Sequence, residues 1–398
     1  MTQFLPYARQ VIEDDDVEAV KHALRSDWLT TGPRVEAFDA ALASAVGARH
    51  AIACNSGTAA IYLATRAAGL QPGDKVIVPT ITFLATASAN ILAGLDVVFA
   101  DVDPETGLMS VAHVSEALRR GGDRVRAVFP VHLGGRIADP EALKTFADQN
   151  GLMVIEDACH ALGTRYGGAR DPVGSCAHSL AACFSFHPAK TIAMGEGGAV
   201  TTNSDELAHE LRLLRNHGMT RAAAEFVNED LAFASDGEPN PWYYEVSQIS
   251  HNFRTSDINC ALGLSQLAKL DKFLMQRRKL AERYESQLAS LAPRVRYVSG
   301  NPQDIHGWHL STVLVDFDAM DTDRRGMMQR LKQRGIGSQV HYIPVHMQPF
   351  YRRHYGELSL PGAMRYYRHT LSLPLYASMT EDDVDRVVVA LEDSLKGP

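Results

Sequence analysis

The sequence predicts an α/β fold, with a large domain built on a mostly parallel seven-stranded sheet and a smaller α+β domain after it. Three observations support this prediction. Seven short apolar segments alternate with helical segments between residues 50 and 202. The apolar segments lack the every-second-residue alternation of a half-exposed strand, which indicates strands buried on both faces. The pattern of residues changes near residue 270, where charged helical segments replace the short apolar segments.

The first part of the chain is predicted to begin with an extended segment and two helices, at residues 14–26 and 35–48. Alternating strands and helices then predict parallel strands joined by crossover helices. The predicted strands are residues 50–54, 76–79, 97–101, 125–131, 152–156, 180–186 and 197–202, and the helices between them include 59–68, 111–120 and 140–150.

The predicted domains are residues 1–270, comprising the N-terminal segment and the large domain, and residues 271–398. Residues 221–247 are polar and contain Gly237, Pro239 and Pro241, which predicts an irregular insertion. In the smaller domain we expect helices at 272–291, 323–334 and 381–395 and strands at 308–317 and 336–343.

The composition narrows the class of protein. Apolar residues make up 45% of the 398 residues, enough for a large core. The net charge of −8 and the lack of a basic, aromatic-rich segment argue against a nucleic-acid partner. Residues 1–6 show no signal-peptide pattern and no apolar run reaches roughly 18 residues, so we expect a cytoplasmic protein with no membrane partner. The five cysteines have no zinc-like spacing, which favours buried thiols and predicts no metal site.

Three segments carry residue types that suit a cofactor site, although each has an ordinary structural explanation. Residues 55–59 follow a predicted strand and open a helix, and their small and hydroxyl side chains suit either a bound phosphate or a helix cap. Asp157 ends a predicted parallel strand, where ligands collect in open α/β sheets, but it also suits a helix cap. Lys190 follows an apolar strand and a Pro-containing turn, and is either a surface lysine or a desolvated nucleophile.

The order of the three segments is more informative than any one of them. A phosphate-type turn, a carboxylate about 100 residues later and a lysine about 30 residues further on follow one another. Pyridoxal 5′-phosphate (PLP) needs an anion site for its phosphate, a carboxylate for its pyridine nitrogen and a lysine for its aldehyde. We therefore predict PLP as the cofactor, with Lys190 and Asp157 as catalytic residues.

Segments spread over nearly the whole chain resemble the DegT/DnrJ/EryC1/StrS family of sugar aminotransferases, which belong to the fold-type I PLP enzymes. The start of the chain most resembles the branch that acts in pseudaminic acid biosynthesis. That resemblance implies amino transfer, with glutamate as the expected donor, to C4 of a UDP-linked 4-keto-6-deoxy-N-acetylhexosamine. The matching segments are SDWLTTGP (26–33), NSGTAA (55–60), PTITFLATA (79–87), PVHLGG (130–135), EDACHALG (156–163), SFHPAKTI (185–192), GEGG (195–198), RNHG (215–218) and HNFRTSDINCALG (251–263).

The resemblance also implies roles for single residues. Lys190 would form the Schiff base, and Asp157 would pair with the pyridine nitrogen. Asn252 would reach the cofactor of a neighbouring subunit, which implies a homodimer with shared active sites. The other cofactor-binding residues implied are Gly57, Thr58, Phe83, His160 and Ser185. The substrate-binding residues implied are Tyr7, Leu29, Thr30, Thr31, Gly32, Ser56, Ser185 and Asn252.

Several alternatives stay open at this point. Phe253 replaces the commoner tyrosine of the family's Asn-Tyr-Arg motif, and Gly134 stands where an aromatic residue is usual; these departures bear on the substrate and not on the cofactor. The alternatives are amination of a GDP- or dTDP-linked keto-sugar at C3 or C4, a PLP-dependent sugar dehydratase, and a PLP-binding sensor without turnover. His341, Tyr342 and His346 lie close together without an acidic or thiol partner at metal-ligand spacing, which favours packing or a substrate contact.

Overall fold

The computed structural model describes residues 4–167, 171–320 and 322–395. Its helices are α1 (Asp14–Leu24), α2 (Pro33–Val46), α3 (Gly57–Ala67), α4 (Ala85–Leu92), α5 (Val111–Gly121), α6 (Pro140–Gln149), α7 (Asp205–Arg215), α8 (Glu229–Ala232), α9 (Asp257–Leu267), α10 (Leu270–Leu288), α11 (Arg324–Gln333), α12 (Pro349–Tyr355), α13 (Pro361–His369) and α14 (Glu381–Leu395). Its strands are β1 (His50–Cys54), β2 (Lys75–Pro79), β3 (Asp96–Ala100), β4 (Val125–Val128), β5 (Met153–Asp157), β6 (Ala181–Ser185), β7 (Gly198–Thr202), β8 (Met219–Thr220), β9 (Glu245–Val246), β10 (Val295–Tyr297), β11 (Ser311–Val315) and β12 (Thr370–Leu373).

A seven-stranded sheet forms the centre of the molecule, in the order β1-β7-β6-β5-β4-β2-β3. β7 runs antiparallel to both of its neighbours, and all other neighbouring pairs are parallel. Most strand residues are buried, because helices cover both faces of such a sheet. The predicted α/β class and mostly parallel seven-stranded sheet are confirmed, and each strand lies within three residues of its predicted bounds.

The helix that follows β1 is important for the site, because it begins at the edge where the parallel strands end. Its N-cap is Ser56, whose hydroxyl oxygen accepts a hydrogen bond from the Ala59 N–H at 3.1 Å. α3 packs against β6 and β7 through small residues such as Ala60 and Ala64, both fully buried. Small side chains let the helix lie close to the sheet, so its first turn reaches the strand ends.

The C-terminal part of the chain forms a second, antiparallel sheet in the order β10-β11-β12. α10, α11 and α14 contribute buried side chains to the core beside this sheet, among them Leu280, Leu331 and Leu391. Leu5 also belongs to this core, so the N-terminal segment packs against the C-terminal part of the chain. The boundary near residue 270 coincides with the start of α10, and the division into two domains there stays a prediction.

One predicted strand is wrong. Residues 336–343 form only two isolated pairings, between Ile336 and Leu5 and between Gln339 and Ser372. Because these two positions pair with different segments, no continuous strand ladder forms. Part of the segment 336–343 instead lines a cavity. The predicted strand at 308–317 is limited to β11, and β10 and β12 were not predicted. The insertion at 221–247 is irregular apart from a short 3-10 turn, α8 and β9, as expected.

None of the helices in the described ranges combines the length and the apolar character required to cross a lipid bilayer.

Candidate active site

A cavity of about 580 Å³ lies at the carboxyl ends of the parallel strands. Its walls come mainly from residues at or just after the ends of β1, β2, β4, β5 and β6, from Tyr7 of the N-terminal segment and from the irregular segment near residue 340. Ligands bind at this edge in open α/β sheets, since loops and helix N-termini converge there. The position and volume of the cavity are typical of a small-molecule site.

The cavity brings together most of the residues that the sequence marked as a site. Those on its wall are Tyr7, Ser56, Gly57, Thr58, Phe83, Asp157, His160, Ser185 and Lys190. Leu29, Thr30, Thr31, Gly32 and Asn252 do not line it. The predicted residues therefore divide into a cavity group and an outer group.

An anion cradle is present where α3 begins. Gly57 and Thr58 are the first residues of the helix, where backbone N–H groups have no partner within the helix. A Cβ atom at Gly57 would lie 2.7 Å from the Cβ of Ser185, so only glycine allows the helix start to lie this close to Ser185. Two free N–H groups and the hydroxyl of Ser185 thus face the same small space, which suits a phosphate.

Asp157 is a buried carboxylate at the end of β5, only 5% exposed. Its Oδ2 accepts a hydrogen bond from the Thr86 hydroxyl at 2.6 Å, and its Oδ1 accepts one from the Cys159 N–H at 3.1 Å. Within the described residues it has no salt-bridge partner. A buried carboxylate is costly without a cation, so this one suits a protonated ring nitrogen in the cavity.

The neighbouring acid, Glu156, has a different role. Adjacent strand residues point to opposite faces of the sheet, and Glu156 accepts hydrogen bonds from His132 at 3.0 Å and from the Tyr166 hydroxyl at 2.8 Å. Burial alone would raise the pKa of Glu156, but these hydrogen bonds outweigh burial and hold the pKa below its usual value. Glu156 is therefore satisfied inside the protein, and Asp157 alone of the pair faces the cavity.

Lys190 lies on the cavity wall in the turn that follows β6. Its backbone N–H donates to the His187 carbonyl at 2.7 Å, which closes the turn and directs the side chain. Burial lowers the pKa of Lys190, and the negative charge of Asp157 opposes this shift only in part. A lowered pKa makes the neutral amine, the form that attacks an aldehyde, more abundant near neutral pH.

Buried histidines surround the same space. His160 Nδ1 accepts a hydrogen bond from the Gly134 N–H at 3.3 Å, so the proton of the neutral ring is on Nε2, which lies 3.1 Å from the Tyr342 hydroxyl. The rings of His160 and His309 lie 4.3 Å apart. Burial, with Lys190 nearby, lowers the pKa of His160 well below its usual value and that of His341 to about 3. These rings are neutral at neutral pH and do not compete with Lys190 for protons.

Some cavity residues were missed by sequence reasoning. His309 and Gln339 on the cavity wall were not singled out, and neither was Thr86, which does not line the cavity but donates to Asp157. Thr86 and His309 meet their partners only through long-range folding. His341 and Tyr342, expected to serve in packing or substrate contact, both line the cavity. His346 lies outside it and bonds to the Thr80 hydroxyl at 2.7 Å. Across residues 4–167, 171–320 and 322–395, no group of side chains with metal-ligand chemistry gathers in one place.

The outer group of predicted residues lies on two segments that touch. Thr30 pairs with Ser256, and the Gly32 N–H donates to Asp257 Oδ2 at 2.7 Å. Asn252 lies four residues before Ser256 and forms an isolated antiparallel pairing with Asn216. The carbonyl of Leu29 accepts from the Asp257 N–H at 3.0 Å. Residues 29–32 and 252–257 therefore form one surface outside the cavity of their own chain.

The pKa of Lys190 leads to a pH-dependent prediction. The rate of PLP uptake by the cofactor-free protein should rise with pH, with a midpoint below the ordinary lysine pKa of 10.5. In Asp157→Asn the midpoint should move lower still, because the negative charge that raises the lysine pKa is gone. The uptake is followed by absorbance, with a free lysine derivative as the control for titration of the cofactor itself. A midpoint at or above 10.5 would show that Lys190 is not desolvated.

The residues present fit PLP in three respects. The cradle at Gly57, Thr58 and Ser185 suits its phosphate, the unpaired Asp157 carboxylate suits its ring nitrogen, and the desolvated amine of Lys190 suits its aldehyde. The three groups line one cavity, so a single ligand can meet all of them at once.

Comparison with known proteins agrees with this chemistry. A model of the DegT/DnrJ/EryC1/StrS aminotransferase family matches residues 10–392. The chain is 40% identical over 400 residues to the spore coat polysaccharide biosynthesis protein SpsC of Bacillus subtilis (strain 168), with 99% of this chain and 98% of SpsC covered.

Solved structures agree as well. PseC of Helicobacter pylori, an aminotransferase involved in the biosynthesis of pseudoaminic acid, is 28% identical with a TM-score of 0.88, and all of both chains is covered. Spr1654 of Streptococcus pneumoniae in its PLP form is 25% identical with a TM-score of 0.88, and 99% of each chain is covered. The protein is a PLP-dependent sugar aminotransferase, and the chain belongs to the DegT/DnrJ/EryC1/StrS aminotransferase family.

Proposed function

We propose that the enzyme transfers an amino group from glutamate to the C4 keto group of a UDP-linked 4-keto-6-deoxy-N-acetylhexosamine, as in pseudaminic acid biosynthesis. The observation that carries the proposal is the cavity, which combines Lys190 and Asp157 with Tyr7 of the N-terminal segment. The match to PseC over its whole length supports the choice of sugar. Free cysteines, most of them buried, suit a reducing compartment, so we place the reaction in the cytoplasm.

The proposed cofactor contacts follow from the cavity wall. Gly57, Thr58 and Ser185 would hold the phosphate through N–H groups and a hydroxyl. Phe83 is 52% exposed on the wall, so a ring face is available to stack on the pyridine ring. When bound, PLP supplies an aldehyde that exchanges amino groups and a ring that accepts electrons. The protein supplies position, charge and proton transfer.

Lys190 and Asp157 would divide the proton handling between them. The neutral amine of Lys190 would take a proton from the α-carbon of the amino donor and, in the second half of the reaction, deliver a proton to the sugar carbon that receives the amino group. General acid–base catalysis of this kind contributes about 10²–10⁴-fold. Asp157 keeps the proton on the ring nitrogen. The Thr86 hydroxyl and the Cys159 N–H hold the carboxylate in one orientation, so its charge stays directed into the cavity. His160 is neutral and bonded to Tyr342, so it would orient the cofactor without adding charge to the cavity.

A homodimer with shared active sites would give the outer group a function. Asn252 and residues 29–32 do not reach the cavity of their own chain, and large apolar side chains are exposed near them and near the cavity. These side chains are Trp28, Leu29, Leu84 and Ile249. Exposed apolar side chains of this size mark interaction surfaces when they cluster. We propose that this surface meets a second subunit, where Asn252 contacts the partner's cofactor and residues 29–32 contact the partner's substrate.

A second candidate is amination of another nucleotide-linked keto-sugar, GDP- or dTDP-linked, at C3 or C4. One observation favours it: the chain is more similar to SpsC, whose name refers to spore coat polysaccharide, than to PseC, with 40% against 28% identity. Both candidates share the cofactor site and differ only in the groups that contact the nucleotide and the sugar.

The experiment that separates them uses the PLP-loaded enzyme, glutamate and a panel of keto-sugars linked to UDP, dTDP or GDP. We expect kcat/KM for the UDP-linked 4-keto-6-deoxy-N-acetylhexosamine to exceed the others by about 10-fold or more, as direct contacts to a base and N-acetyl group would give. Release of 2-oxoglutarate measures the rate, and NMR of the product locates the amino group. Preference for a dTDP- or GDP-linked substrate, or amination at C3, would refute the first candidate.

A further inference from the structure

An arginine without an acidic partner is buried close to the segment that carries Lys190. Arg277 lies in the middle of α10 and is only 2% exposed. Burial alone lowers the pKa of Arg277 to about 10, and no acid among the described residues opposes this shift. At neutral pH the side chain is therefore a buried cation without a counter-charge, an arrangement that is costly unless something compensates it.

The guanidinium of Arg277 uses only part of its hydrogen-bonding capacity. Its Nη1 donates to the carbonyl oxygens of Leu375, Trp308 and His309 at 3.0, 3.3 and 3.5 Å. Its Nε is buried and donates to no described residue. A carbonyl oxygen bears only a partial negative charge, and a buried donor without an acceptor calls for a bound water or ion. Arg277 thus lacks both a full negative charge and an acceptor for Nε.

A small cavity adjoins Arg277. Its volume of about 10 Å³ corresponds to about one water-sized sphere. It lies between residues 9–11 of the N-terminal segment, residues 190–193 and the helices α9 and α10. The charged residues on the described part of its wall are Arg9, Lys190 and Arg277, all of them basic. Arg9 is exposed and forms no ion pair with a described residue, so two arginines face a space that has no acid on its wall.

The acid that bonds to this wall is already neutralised. The Oδ2 atom of Asp16 accepts a hydrogen bond from Gln266, a wall residue, at 2.7 Å. The same oxygen lies 2.8 Å from the ammonium group of Lys269. Asp16 is therefore committed to a lysine on its own side of Gln266 and does not supply the charge that Arg277 lacks.

We propose that this cavity binds a small monovalent anion such as chloride, held by Arg277 from the inside and by Arg9 from the solvent side. The ion accepts the hydrogen bond that Nε of Arg277 offers, and its charge neutralises the buried guanidinium. A phosphate or a carboxylate is too large for the space, whereas chloride is only slightly larger than water and the exposed Arg9 can move outward. The ion joins the N-terminal segment, which brings Tyr7 to the active-site cavity, to the segment that follows Lys190.

Chloride-dependent stability of the PLP-loaded enzyme tests the site. Chloride is titrated against gluconate, an anion too large for the cavity, at constant ionic strength. We expect the melting temperature to rise by about 2 °C or more at saturating chloride, because a ligand that binds only the folded state stabilises it. Crystals of the same enzyme grown with bromide in place of chloride should show an anomalous peak within hydrogen-bonding distance of Arg277 Nε.

Two variants connect the effect to the cavity. Arg277→Gln should make the melting temperature independent of chloride. Arg9→Gln changes an exposed side chain, and it should raise the chloride concentration for half-maximal stabilisation by about 3-fold or more, because one charge-assisted contact is lost. Arg278→Gln is the matched control: it removes the charge of the next residue of α10, which is exposed and lies outside the cavity, and should leave that concentration within about twofold.

A wild-type melting temperature that does not respond to chloride, or a cavity without a bromide peak, would show that water fills the space and would overturn the anion site. A bromide peak without chloride-dependent stabilisation would do the same, since it would mark an adventitious ion only. If Arg277→Gln does not fold, Arg9→Gln still decides, because a chloride response equal to that of the wild-type enzyme would refute the proposal.

Discussion

Lys190→Ala should abolish amino transfer and remove the absorbance of lysine-linked PLP. In the proposed mechanism the amine of Lys190 would hold the cofactor covalently and move the substrate proton, so its loss would remove nucleophilic and acid–base catalysis together. We expect a fall of at least about 10⁴-fold, the upper end for the acid–base part alone. Steady-state release of 2-oxoglutarate measures the rate, and circular dichroism checks the fold.

Lys144→Ala is the matched control. Lys144 is a surface lysine whose ion pair with Asp148, four residues along α6, is exposed and contributes little to stability. It should keep wild-type rates. Normal turnover in Lys190→Ala would exclude the proposed mechanism, whatever the behaviour of the control.

The Lys190→Ala variant also tests whether the active site is shared between two subunits. Asn252→Ala should also lower activity, and mixed subunits of the two variants form hybrid dimers. If Asn252 completes the partner's site, each hybrid contains one site with both residues intact. Random mixing then restores about a quarter of wild-type activity, since about half of the dimers are hybrids. Mixtures no more active than the parents would place Asn252 in its own chain's site or outside any site.

Asp157→Asn should lower turnover by about 10²–10⁴-fold and leave the fold intact. An amide cannot keep the ring nitrogen protonated, and each pKa unit lost there corresponds to about 1.4 kcal/mol. Asparagine has nearly the same shape and still accepts from the Cys159 N–H, so packing is preserved. The measurement pairs kcat with the thermal midpoint.

Glu156→Gln serves as the neighbouring control. It weakens the hydrogen bonds to His132 and Tyr166 inside the protein, so we expect a stability loss of about 1–3 kcal/mol and a much smaller effect on kcat. The opposite pattern, with turnover lost in Glu156→Gln and kept in Asp157→Asn, would show that the two acids have been assigned the wrong way round.

The sequence alone determined the sheet and the residues that carry the proposed chemistry. Strands buried on both faces produce uninterrupted apolar segments, a local property, so all seven central strands were predicted within three residues. Lys190 and Asp157 were identifiable because Asp157 ends one buried strand and Lys190 follows another, and parallel strands end at one edge of a sheet. The small residues that follow β1, Gly57 among them, marked the start of a helix at this same edge of the sheet.

Only the tertiary structure decided which acid faces the cavity and what surrounds it. Alternation along β5 places Glu156 and Asp157 on opposite faces, but the local pattern does not say which face meets the cavity; Asp157 lies there, bonded to Thr86, 71 residues away in the chain. The predicted strand at 336–343 failed because its pairing partners lie in two distant segments. The lowering of the Lys190 pKa likewise depends on burial and on side chains that meet only after folding, which no local pattern encodes.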